Sequence, residues 1–102
     1  MFAQESDILR KLRLIEGLKA DLLTEVGDLY QAMAHNRREA IGSALAGLII
    51  SAFVLGRRLG IEYSEMEEIV NTKLGDNIKQ ETEAERWFGD MSEYRRYLRQ
   101  KR

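Results

Sequence analysis

Ala40 to Gly56 reads AIGSALAGLIISAFVLG, a run without a charged residue. In helical projection Ile41, Leu45, Leu48, Ala52 and Leu55 form one stripe, while Ile50, Phe53 and Val54 take a second side. Ser43, Gly47 and Ser51, spaced four apart, make a third, narrow stripe of small residues. A helix that is apolar all round has to be covered all round, and small residues on one side let a second backbone come close. The cover is either protein or lipid. A membrane span needs about 20 predominantly apolar residues; this run is shorter and contains glycine and serine. Arg37 and Arg38 before it balance Arg57 and Arg58 after it, so the flanks give no orientation signal. The remainder of the chain reads as amphipathic helix in need of a packing partner. The expectation is therefore a protein-covered central helix and no membrane partner.

The length of 102 residues predicts a single domain, 1–102, and 44% hydrophobic residues allow a small core. Without cysteine there is no disulfide framework, no thiolate metal site and no thiol nucleophile. The opening MFAQESDILRK reads as neither a signal nor a transit peptide, and a cytoplasmic location is expected. Net charge is −1, which argues against a general polyanion binder. Residues 61–93 are acidic, with Lys73, Lys79 and Arg86 as their bases, whereas the tail YRRYLRQKR, 94–102, is basic. Such a tail suits nucleic acid. The preferred reading is that Arg95, Arg96, Arg99, Lys101 and Arg102 lie near a helix C-terminus, where cations are favoured, with Tyr94, Tyr97 and Leu98 as its apolar edge.

Ile8, Leu12, Ile15, Leu18, Leu22, Val26, Leu29 and Met33 step by three and four, which predicts one long helix from Asp7 to about Ala34, capped by Ser6 or Asp7. A break near Gly17 is compatible with that pattern. Asn36 accepts the left-handed conformation of a C-terminal cap, and His35 beside it reads as a cap or surface group. The apolar run then gives a second helix, 37–59, stopped by Gly60; the short link makes the two antiparallel. Ser64-Glu65-Met66-Glu67 has the form of a capping box and opens a third helix ending near Gly75 to Asn77. Residues 78–84 read as a loop. Thr82 is placed to cap a short turn before Trp87 and Phe88, and Ser92 to cap a last helix. The fold class is all-α: an antiparallel bundle of three main helices and a shorter C-terminal one, completed by homodimerisation with C2 symmetry.

Nucleophilic catalysis has little to draw on, since His35 stands alone and glycine-rich phosphate loops are missing. Carboxylates remain. Asp21, Glu25 and Asp28 share one face of the first helix, and Glu25-x-x-Asp28 has apolar neighbours on both sides. Carboxylates facing inward between helices hold hard cations such as Mg²⁺; the alternative is a solvated polar face with Lys19 nearby.

LLTEVGDLYQAM, a short link, AIGSALAGLIISAFVLGRRLGI, a capped acidic helix ending NTKLGDN and the tail ERWFGDMSEYRRYL together resemble the MazG-like branch of the all-α nucleoside triphosphate pyrophosphohydrolases, over residues 8–98. The resemblance implies a helical dimer or tetramer that cleaves nucleoside triphosphates to monophosphate and pyrophosphate. Its metal ligands would be a Glu-Glu-x-x-Glu segment and a Glu-x-x-Asp segment on successive helices. By position Thr24, Glu25 and Asp28 stand in the first and Ser43 and Ala46 in the second; Lys73 and Asn77 match nucleotide-binding positions. Thr24 thus replaces one acid, and the second acidic pair is gone. Glu39, one turn before Ser43, is displaced by about 6 Å along the helix. The expectation is a degenerate MazG-like homodimer, or tetramer, with a binding or regulatory role. Its metal residues would be Glu25 and Asp28 with Mg²⁺, and its nucleotide-binding residues Lys73 and Asn77. The competing expectation is an active Mg²⁺-dependent pyrophosphohydrolase.

Overall fold

The stepped apolar positions of the first third do form one helix. A computed structural model describes the backbone of residues 2–101 and the side chains of residues 6–101; Met1 and Arg102 of the sequence analysis lie outside the described residues. Helix α1 covers Phe2–Ala34, α2 Arg38–Arg58, α3 Tyr63–Lys79, α4 Glu83–Phe88 and α5 Asp90–Gln100. The described residues are helical throughout with short links, and contain no strand. They form two compact units, one ending at Tyr63 and the other beginning at Ser64.

In the first unit α1 and α2 make an antiparallel hairpin. Asn36 closes it with φ 53°, and the Arg37 N–H donates to the Ala32 carbonyl at 3.0 Å. That pairing across a left-handed residue satisfies carbonyls that the end of α1 would otherwise leave open. Gly60, at φ 96°, ends α2 in the same way, with the Ile61 N–H donating to the Gly56 carbonyl at 2.8 Å. The small side of α2 faces α1. Ala44, Ser51 and Gly56 are its buried residues, and Leu18 and Ala32 are the buried positions of α1. The large residues point elsewhere: Leu45, Ile49 and Ile50 are 44%, 61% and 63% exposed. One neighbour therefore covers one side of α2, as a helix apolar all round requires more than one to do. The helix is long and apolar enough to cross a membrane by length and composition. Near its C-terminus Phe53 and Tyr63 stack obliquely, ring centroids 6.5 Å apart, and Arg57 Nε lies 3.5 Å from Glu62 Oε2.

In the second unit Leu74 is the buried residue of α3. Helix α3 overruns the expected loop and ends at Lys79, where Glu81 takes φ 50° and the Thr82 N–H donates to the Asn77 carbonyl at 3.3 Å. The same terminating device is used here without a glycine or asparagine, so composition did not announce it. Three other local expectations also change. Helix α1 runs through Gly17 without a break and begins before Ser6 and Asp7; its tertiary partner outweighs one weak helix former. Helix α3 starts at Tyr63, which puts Ser64 inside it. Ser92 lies within α5, whose N-cap is Gly89 at φ 68°. Thr82 does stand at the N-cap of α4, but its hydroxyl makes no cap bond and is buried without a partner.

Candidate functional site

The Asn36 turn folds the C-terminal half of α1 back beside the first half of α2. Between them lies an open cleft of about 340 Å³. Ala32 and Ala44, both buried, are too small to fill it. Glu25 and Asp28 line it from α1, His35 and Arg37 from the turn, and Ser43 from α2.

Glu25 and Asp28, one helical turn apart, therefore share a concavity, as their spacing required. Glu25 is half-buried and Asp28 exposed. The Glu25 carboxylate reaches across the seam and lies directly over Gly47 of α2. A Cβ at position 47 would stand 2.6 Å from Glu25 Oε1 and closer still to Cδ and Oε2. No hydrogen bond or ion pair from another described residue answers this carboxylate. Asp21, Thr24, Glu39 and Ala46 are exposed and do not line the cleft. Glu39 occupies the first turn of α2, where a negative charge complements the helix dipole.

His35 is the cap and surface group its sequence context suggested, and it lines the cleft as well. Its Nδ1 lies 2.9 Å from the Gln31 carbonyl, which can only accept, so Nδ1 donates. The ring thereby caps α1, as expected of a residue at that turn. The same bond leaves Nε2 as the basic nitrogen of the neutral ring, on a side chain that lines the cleft. Arg37, with extended backbone at the N-cap of α2, supplies a fixed positive charge beside it.

Lys73 and Asn77 are one turn apart on α3, in the second unit. Asn77 Nδ2 donates to the Lys73 carbonyl at 2.7 Å, which leaves its Oδ1 as the free acceptor; Lys73 is exposed. That unit also holds a carboxylate partnered at both of its oxygens. The Ser92 N–H donates to Glu85 Oε1 at 2.9 Å and the Ser92 hydroxyl donates to Oε2. The hydroxyl bond first, then the backbone bond, holds the Glu85 carboxyl below its ordinary 4.5. Glu85 thus reaches from α4 to satisfy the first turn of α5, a role a side chain at the Gly89 N-cap would otherwise fill.

Among the described residues no group of three or more His, Asp or Glu side chains is arranged to hold a metal ion. Glu25 and Asp28 do not make an all-protein cage. They do fit Mg²⁺ of the kind that arrives with phosphate oxygens and keeps most of its waters, which needs only one or two carboxylates. The model of the MazG-like family matches residues 8–91 of the chain. No curated protein and no solved structure matches it.

Proposed function

This chain belongs to the MazG-like family, and from that premise we propose that its α1–α2 cleft binds the phosphates of a nucleotide together with Mg²⁺, in a binding or regulatory role without efficient hydrolysis. The observation that carries this is the unanswered Glu25 carboxylate sharing a cleft with Asp28 and Arg37. Glu25 and Asp28 would hold the cation, and Arg37 would bear on phosphate oxygens. Bound Mg²⁺ supplies charge neutralisation along the phosphates. The facing wall offers the Ser43 hydroxyl and no acid, so α2 contributes a hydrogen bond and not a second pair of carboxylates. Lys73 and Asn77 are proposed as nucleotide-binding residues of the second unit, through the exposed ammonium and the free Oδ1. A second copy of the chain is proposed to cover Leu45, Ile49 and Ile50, which a single α1–α2 hairpin leaves open.

One observation favours an active pyrophosphohydrolase instead. His35, whose Nδ1 donates to the Gln31 carbonyl and so leaves Nε2 as the acceptor nitrogen of the neutral ring, lines the same cleft, where an imidazole can take a proton from an attacking water. Pyrophosphate release from a panel of normal and modified nucleoside triphosphates, with Mg²⁺ or Mn²⁺, separates the two. The binding reading expects nucleotide binding that depends on the cation and on Glu25, with negligible release. Turnover by the wild-type chain that Glu25→Gln abolishes would overturn it.

A further inference from the structure

We infer that Gly47 is a positioning residue: its missing side chain is what allows the Glu25 carboxylate to lie across the α1–α2 seam and take its place in the cleft wall. The inference rests on the proposed role of Glu25 only for its functional consequence. The geometry is independent of it.

Glycine inside a long helix is a poor helix former, so its presence in α2 asks for a local reason. A Cβ added at Gly42, earlier in the same helix, would meet nothing within 4 Å. The same is true of Gly17 and Gly27 in α1. Position 47 is different. A Cβ there would overlap all three terminal atoms of Glu25, with Oε1 at 2.6 Å the least crowded. The atoms in the way are the free end of a flexible side chain and not backbone. A methyl group at position 47 therefore leaves α1 and α2 packed as they are and turns the carboxylate out of the seam. Stability and the site separate at this one position. The change would move the Glu25 carboxylate from its place over position 47 without altering Glu25 or Asp28 themselves.

Gly42→Ala is the built-in control, because it gives α2 the same gain in helix propensity with no atom to displace. Mn²⁺ binding by the full chain is followed by electron paramagnetic resonance, alone and with α,β-methylene ATP as probe. Thermal melting and the carboxyl ¹³C signal of Glu25 are recorded on the same samples. Gly42→Ala is expected to bind as the wild type does. Gly47→Ala is expected to melt no lower than Gly42→Ala, to shift the Glu25 signal and to bind at least about tenfold more weakly, the size seen when a ligand's support is removed. Glu25→Asp, one methylene shorter, is expected to restore part of the binding in the Gly47→Ala chain, whereas Glu25→Gln adds no loss to it. A Glu25 signal and Mn²⁺ affinity unchanged between Gly47→Ala and Gly42→Ala would overturn the inference. If wild type binds neither probe, the functional reading fails; the Glu25 signal then decides the role of Gly47 alone, moved by Gly47→Ala and not by Gly42→Ala.

Discussion

Glu25 and Glu85 are both partly buried glutamates where one helix meets the next, and they have opposite fates. Glu85 is answered from within: Ser92 donates to both of its oxygens, and the first turn of α5 gains an acceptor in return. Glu25 lies over a glycine, beside a cleft, with no donor from the described residues. A carboxylate whose lone pairs are already used joins two elements and has little left for a ligand. One placed in a seam without partners loses part of its hydration for nothing unless a cation or donor completes it. The difference separates an acid spent on the fold from one proposed to bind more sharply than charge or exposure does.

Exchanging each acid for its amide tests that division most strongly. Glu25→Gln is expected to weaken cation-dependent nucleotide binding at least about tenfold, about 1.4 kcal/mol, with no fall in melting temperature. Glu85→Gln should leave binding alone and speed hydrogen exchange at the Ser92 amide. Binding lost in both, or in neither, breaks the comparison. A second test bears on the seam that presents Glu25. Ser51, 7% exposed on the small side of α2 and outside the cleft, has little room to grow, so Ser51→Leu should cost about 1–3 kcal/mol in urea unfolding. An unchanged midpoint would mean that the helices are not held this closely.

The second unit offers two smaller tests. Glu81 sits at φ 50° without being glycine or asparagine, a conformation that disfavours a Cβ by about 1–2 kcal/mol. Glu81→Gly should stabilise the chain by about 0.5–1 kcal/mol, part of the relief being offset by the freer unfolded chain. The last concerns acid. The folded Glu85 carboxyl is held below its ordinary 4.5, so its contribution is present above that value and is lost as pH falls through the folded one. Ser92→Ala removes the largest cause, and the Glu85 carboxyl signal should then titrate closer to 4.5, with less acid protection of α5. A titration that Ser92→Ala does not move would show that the serine is not what holds the charge.

Much of the hairpin was legible because its signals are local. Asn36 and Gly60 took the left-handed caps their chemistry suits, and the three-and-four spacing of α1 gave a helix that ends at Ala34 as read. The pairing of Glu25 with Asp28 followed from one turn of helix. Ser64 and Ser92 misled, since a capping sequence competes with whatever else can satisfy the helix end. Tyr63 begins α3 one residue earlier, and at α5 the Glu85 side chain takes the work from outside the helix. Glu81 carries no sequence mark of a left-handed residue; the carbonyls at the end of α3 impose it.

The sequence by itself determined that this chain is helical, that α2 needs more cover than one helix gives, and that an acid pair stands on one face of α1. Periodicity, caps and composition act over a few residues, and a single chain records them in order. Only the tertiary structure decided that Glu25 meets Gly47, that His35 and Arg37 enter the same cleft, and that Glu85 is spent on Ser92. Those meetings depend on how far one helix slides along another and how far each turns about its axis. That is set by the packing of small residues such as Ala32 and Ala44 and not by spacing along the chain.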